Sequence, residues 1–338
     1  MDPAAWCGPA TLGNDKLLSE IHGDYIKVGA EVITANTYAS SRLMLEPAGY
    51  ADKVEEINRR AVEAALRARA LTHASHAVVV AGSLSHMVPM TRGSPSLDQG
   101  KMPSISEMSD AFHELAQLLK AAGAELILLE MMYHPERAKL AVEAALAAGL
   151  PVWFGLSARR AKDGHVVSYH RSEDLPLDEI ACLISTTGID AAGPMHTGSE
   201  VIADALSITR KHFSGALMAY PDSGYFEMPN WQFVDVITPE RFESFCQEWI
   251  KAGVQVLGGC CGLTAEHIQA AVRARASTSN TARRSKSQPP SRLRPMDKIF
   301  PGENRTWGGG RVGWLREALA ASSRHLPCVE PAGHSVAT

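Results

Sequence analysis

Two adjacent cysteines, Cys260 and Cys261, sit in the stretch QVLGGCCGLTAEHI, residues 255–268. A disulfide between chain neighbours strains the peptide joining them, and a glycine-rich turn gives a thiol no core to fill. Two thiolates side by side do suit a soft metal such as zinc, if a third ligand arrives from elsewhere. Other polar residues stand where they could join them: Asn36 and Thr37 in TANTY, Glu130 after ELILL, His196 in PMHT and Asp222 in YPDSG. His73 and His76 in THASH have a spacing seen in metal sites, but they precede a strand and read as surface residues.

Each of these candidates lies just after an apolar segment. Seven such segments occur: EVITANTY, HAVVVAGSL, ELILLE, PVWFGLS, IDAAGPMHT, ALMAYPDSG and VQVLGG, each followed by a stretch with helical periodicity. Short apolar strands alternating with amphipathic helices predict a parallel sheet covered by helices. In a (β/α)8 barrel the strand ends converge on one face, where sites are built. An open doubly wound sheet would carry chemistry at one or two strand ends near its switch point, and no GxGxxG follows a first strand. The expectation is therefore an α/β fold, a (β/α)8 TIM-type barrel, with the first strand missing from the N-terminus. Residues 1–13 hold Pro, Gly and Trp but no apolar run. Two open sheet edges are a liability, which leaves three readings: a start further upstream, closure by a partner in a homo-oligomer, or a damaged copy. The first helix, NDKLLSEIHGDYIKVG, is expected to start at an Asn14 cap, bury Leu17, Leu18, Ile21, Tyr25 and Val28, and stop at Gly29.

The chain has 338 residues and a net charge of −4, so no overall field favours nucleic acid or an anionic membrane. It lacks an apolar run of about 18 residues and a basic-then-apolar leader. Its six cysteines are too sparse for a disulfide scaffold. A cytoplasmic setting, which keeps thiolates reduced, is the natural reading. Residues 1–275 are assigned to the barrel. Residues 276–338 begin STSNTARRSKSQPPSRLRP and are read as a basic, Ser/Pro/Arg-rich, largely disordered tail.

Together with YPDSG, the glutamate of LLE and ITANTY, the stretch GGCCGLTAEHI resembles the homocysteine S-methyltransferase family over about residues 6–273. The resemblance implies a zinc-bearing (β/α)8 barrel that moves a methyl group from a sulfonium or ammonium donor to the thiol of homocysteine, giving methionine. In that family the metal is held by the paired cysteines and by a third cysteine in a GVNC motif after the sixth strand. Here GPMH, residues 193–196, takes that place, so His196 stands for the third cysteine; a second register would put Ala191 there. Imidazole is a good zinc donor, and a Cys2His set with an open position is a known catalytic arrangement. The implied site is Zn2+ on His196, Cys260 and Cys261. The competing reading makes His196 an ordinary strand-end residue of a degraded site.

The resemblance further implies that Glu130 binds the substrate ammonium group, with Asn36 and Thr37 at the substrate's polar end or capping the next segment. Asp222 replaces the asparagine of the family's YPNSG. A carboxylate only accepts hydrogen bonds, which suits a cationic donor or the orientation of His196. Tyr225, Phe226 and Trp231 could face a methylated onium group, and His86 could line the donor pocket. The family's first-strand DGG motif has no counterpart here. Exchanging one thiolate for imidazole leaves the zinc site neutral instead of carrying one negative charge. A substrate thiolate would then be held more tightly and be a weaker nucleophile. The implied partners are homocysteine or a similar thiol and a donor such as S-methylmethionine, S-adenosylmethionine or betaine, with no nucleic acid and no membrane. The alternatives are a catalytically impaired relative that only binds zinc or ligand, or a zinc hydrolase on the same barrel.

Overall fold

A computed structural model describes residues 2, 5–91, 97–170, 172–185, 188–227 and 232–287. The chain runs α1 (Thr11–Lys27), β1 (Val32–Thr34), α2 (Arg42–Leu45), α3 (Val54–Thr72), β2 (Val79–Ser85), α4 (Ile105–Ala121), β3 (Leu126–Met132), α5 (Pro135–Ala147) and β4 (Val152–Leu156). It continues through β5 (Ala158–Arg160), β6 (Val166–Ser168), α6 (Asp178–Ala181), β7 (Ile189–Gly198), α7 (Ile202–His212), β8 (Ala216–Asp222), β9 (Tyr225–Glu227), β10 (Gln232–Val234), α8 (Pro239–Lys251), β11 (Val254–Leu257) and α9 (Ala265–Ser287).

The seven expected strands form one parallel sheet in the order β1-β2-β3-β4-β7-β8-β11. Every neighbour in the sheet is also next in the chain once two small antiparallel hairpins, β5–β6 and β9–β10, are set aside. One apolar cluster shows the curvature. Val32 of β1 and Val256 of β11, on the two edge strands, share it with Ala81, Leu128, Trp153 and Tyr220. Opposite edges can meet in one cluster only if the sheet curls round on itself, as a barrel sheet does. The other sheet face, with Val80, Ile127, Leu129 and Phe154, packs under the helices and forms the main core. The two edge strands are not hydrogen-bonded to each other. Flanking groups bridge them instead: Arg275 of α9 pairs with Glu31 at 2.5 Å.

Two expectations are corrected. First, α1 begins at Thr11, with a kink at Asn14 whose side chain donates to Ala10 O. Its buried face is Ser19, His22, Gly23 and Ile26, while Leu17 and Ile21 are 53% and 43% exposed. The apolar stripe loses because α1 lies tight on α3: a side chain on Gly23 would come within 3.3 Å of Thr72 Oγ1, so small residues make the contact. Second, helix α9 continues through Ser287, so the segment from 276 is helical where the composition suggested disorder. Residues 288–338 of the expected tail lie outside the described residues. Among the described residues no helix is long and apolar enough to cross a membrane.

The buried His22 gives a first prediction. Its Nε2 has no partner among the described residues, and burial pushes its pKa down to about 4. The folded state therefore favours the neutral ring, while the unfolded chain takes up a proton below about pH 6.5. Stability present at neutral pH is lost as the pH falls from about 6.5 to 4, by up to about 3 kcal/mol. His22→Leu is expected to flatten that part of the Tm-versus-pH curve and to leave Tm at pH 8 no lower than in the parent.

Candidate metal centre

His196 and the cysteine pair come from neighbouring strand ends. On β7 the register against β8 shifts between Met195 and Gly198, and His196 inside that shift has φ of 46°. Such a bulge re-aims a side chain, and the left-handed backbone of a non-glycine residue costs on the order of 1 kcal/mol. Its flanks hold it there: Ser157 Oγ donates to Met195 O at 2.7 Å, and Thr197 Oγ1 accepts from Ala158 N at 3.0 Å. A second bulge ends β3, where the register shifts between Leu129 and Met132 and Met131 has φ of 55°.

The cysteine turn is zipped onto the end of β8. Cys260 N donates to Pro221 O at 2.7 Å, and Ser223 N donates to Cys261 O at 2.9 Å. Gly262 closes the turn with φ of 79°, and a Cβ there would stand 2.0 Å from Ser223 O. Gly262→Ala is therefore expected to break this turn, lowering stability by about 2–4 kcal/mol and weakening metal binding; thermal unfolding and metal analysis read both. His267 anchors the following helix, with Nδ1 accepting from Thr264 N at 3.1 Å and Nε2 meeting Ile237 O at 2.8 Å.

The three donor atoms converge. Cys260 Sγ lies 3.6 Å from His196 Nδ1 and 3.8 Å from Cys261 Sγ, and all three ligand atoms lie within 4.8 Å of one another. This is the one such cluster among the described residues. A tetrahedral zinc shell with bonds of about 2.3 Å to sulfur and about 2.0 Å to nitrogen sets S···S near 3.8 Å and S···N near 3.5 Å. The residues present therefore fit zinc in donor type and in spacing. The two thiols share their protons unequally. Cys261 is pushed down to about 5, first by the hydrogen bond from the Cys260 thiol and then by His196, while Cys260 is held up by that same bond and by burial. Cys261 is the readier thiolate of this pair.

Carboxylates surround the cluster. Glu130 is 6% exposed and accepts a hydrogen bond from Ser83 Oγ. Burial pushes it up to about 7, against the opposing pull of Ser83 and His196. Asp222 Oδ2 lies 3.6 Å from His196 Nδ1, beyond a good hydrogen bond but close enough for charge to act. Burial raises the Asp222 pKa, and His196 partly offsets that. Tyr169 sets its ring edge-on to His196, with centroids 5.0 Å apart.

The other candidates are used elsewhere. Thr37 is fully buried; its Oγ1 donates to Ser83 O at 2.8 Å and accepts from Ser83 N at 2.9 Å, tying β1 to β2. Asn36 Nδ2 donates to Cys7 O at 2.9 Å and so anchors the N-terminal segment. His86 is also structural: its Nε2 accepts from Tyr133 N and His134 N. His76 Nε2 meets Ala30 O, away from the cluster. Tyr225 is 57% exposed on the β9–β10 hairpin, and Trp231 lies outside the described residues. Sequence reasoning missed Tyr169, which follows the β5–β6 hairpin. Asp163-Gly164, with Gly164 at φ of 91°, was its available turn signal.

The homocysteine S-methyltransferase family matches residues 1–275. Homocysteine S-methyltransferase 2 of Zea mays is 27% identical over 284 residues, covering 78% of this chain and 81% of that protein. The selenocysteine Se-methyltransferase of Brassica oleracea var. italica is 27% identical over 287 residues, with 78% and 81% covered. Among solved structures, the oxidized form of the homocysteine methyltransferase MmuM from Escherichia coli aligns with a TM-score of 0.61 at 23% identity, covering 80% of this chain and 88% of that one. Its metallated form aligns at 0.59 and 22%, with the same coverage. These two structures support the fold.

Proposed function

This chain belongs to the homocysteine S-methyltransferase family, and on that premise we propose that it moves a methyl group from a sulfonium or ammonium donor to the thiol of homocysteine, giving methionine. The observation that carries the reading is the convergence of His196, Cys260 and Cys261, all within 4.8 Å of one another. These three residues would hold Zn2+. Bound there, zinc supplies Lewis acidity that lowers the pKa of the substrate thiol.

The chain's own residues do the rest. In the reaction a sulfur–methyl bond forms on homocysteine, the donor's bond to that methyl breaks, and the bonding pair leaves with the donor. The thiol proton goes to solvent. Glu130, buried and oriented by Ser83, offers its carboxylate to the substrate ammonium, a partner that offsets the cost of burying the charge. Asp222 places negative charge beside His196, where a cationic donor would approach. Tyr169, edge-on to the imidazole, and the half-buried Tyr220 shield the site from water. The working unit in this reading is residues 1–275, and the donor is a small molecule such as S-methylmethionine, S-adenosylmethionine or betaine.

The test is methionine formation by zinc-loaded protein, with homocysteine and each of the three donors bearing a deuterated methyl group. Transfer of label from at least one donor, abolished by chelation and restored by zinc, is expected. No labelled methionine with any donor would sink the reading.

A further inference from the structure

The first turn of helix α5 holds a buried cation with no counter-charge among the described residues. Arg137 is 2% exposed. Its Nη1 makes one long contact, 3.4 Å to His86 O, and its guanidinium lies 5.5 Å from the centre of the Tyr133 ring. Nε and Nη2 have no hydrogen-bond partner among the described residues. These two atoms form the side-on edge of the guanidinium, the edge that grips a carboxylate through two parallel hydrogen bonds. Two further buried ring nitrogens without a partner among the described residues stand close by, His134 Nδ1 and His170 Nδ1, on rings 5.8 Å apart. His134 is the residue that precedes α5, so the positive end of that helix adds to the field.

A buried guanidinium left without a counter-ion is among the costlier arrangements a fold can keep. No Asp or Glu pairs with Arg137 among the described residues. The undescribed positions before residue 288 are Met, Pro, Ala, Arg, Gly, Ser, Thr, Asn and Trp, none of them acidic. With no described carboxylate on the fork, the chemistry fits an anion from outside, and a planar one suits the fork. A chain of aromatic rings links the place to the metal centre. The Tyr133 ring contacts Tyr169 at 6.3 Å, and Tyr169 contacts His196 at 5.0 Å. A cleft of about 490 Å3, lined by Arg159, Arg160, Lys162, Tyr169 and Asp174, opens at Tyr169.

We propose that the Nε–Nη2 edge of Arg137, flanked by His134 and His170, is a carboxylate-binding subsite for one of the two substrates. The assignment of the carboxylate to a substrate rests on the methyl-transfer reading; the binding of a carboxylate does not. Both the acceptor and the donors S-methylmethionine and betaine carry that group, so the experiment separates them.

The full chain is titrated by calorimetry and thermal shift with matched pairs that differ in the carboxylate: betaine against choline, S-methylmethionine against trimethylsulfonium, and homocysteine against 3-aminopropane-1-thiol. Wild-type protein is expected to prefer the carboxylate member of the donor pairs or of the acceptor pair by roughly 100-fold. Whichever pair responds names the substrate. In Arg137→Met that preference collapses to a few-fold, and the unliganded variant melts no lower than wild type, because an uncompensated charge has been removed. Arg137→Lys keeps the charge without the fork and falls between the two. Absence of any preference in wild type, or a preference unchanged in Arg137→Met and Arg137→Lys, overturns the proposal. Carboxylate preference lost in the variants of a protein that transfers no methyl group would uphold the subsite and reject the catalytic reading.

Discussion

The parent is expected to purify with one zinc per chain, and His196→Ala without it. Removing one of three protein ligands should weaken zinc by at least about 1,000-fold. The parent should also melt lower after chelation, because a ligand bound only to the folded state stabilises it in proportion to its occupancy. The variant's Tm should not respond to chelator. One control separates metal loss from backbone effects. His196 holds a left-handed φ of 46°, which alanine tolerates poorly and glycine freely. His196→Gly should therefore fold at least as well as the parent and still lack zinc. His196→Cys should bind zinc again, now as three thiolates with one net negative charge. The substrate thiol would then ionise less completely but react faster once ionised. Zinc retained at full affinity in both His196→Ala and His196→Gly would remove the imidazole from the site.

Glu130→Gln is the second large effect. The amide keeps the shape and can still accept from Ser83, but it has no charge for the substrate ammonium. A buried carboxylate–ammonium pair broken on one side costs about 2–5 kcal/mol. KM for homocysteine is therefore expected to rise on the order of 100-fold or more, with a smaller change in kcat. The metal-free protein gives an independent signature. Burial raises the folded-state pKa of Glu130 to about 7, above its value in the unfolded chain. The stability this group contributes is thus full below about pH 4.5 and is lost as the pH rises through 7, by up to about 3 kcal/mol. Metal-free Glu130→Gln should escape that loss and melt higher than metal-free parent at pH 8. An unchanged KM would return Glu130 to a purely structural role.

The barrel strands were legible because all seven are short, apolar and followed by helical periodicity, and the structure has a strand at each of those places. The cysteine pair was legible because two thiols on a glycine turn have few other uses. His196 needed more than a pattern. IDAAGPMHT reads as a strand, but nothing in it announces the bulge that turns the imidazole toward the cysteines. Thr37 and His86 are engaged by backbone for one physical reason. Both lie at strand ends on the correct face, yet buried polar groups are consumed by whatever backbone is nearest, here Ser83 and the Tyr133–His134 turn. Tertiary packing also overrode the α1 stripe, since close approach to α3 selected Ser19 and Gly23 over Leu17 and Ile21. Arg137 could not be singled out in HPERAKLAVEAALAAGL, where it looks like an exposed residue of an amphipathic helix; only its burial makes it unusual.

The most direct test of the zinc site is X-ray absorption at the zinc edge of the loaded protein, before and after homocysteine. The account predicts two sulfur neighbours at about 2.3 Å and at least one nitrogen at about 2.0 Å, with one sulfur added when homocysteine binds. A shell without sulfur, or a sulfur count that homocysteine leaves unchanged, would contradict it.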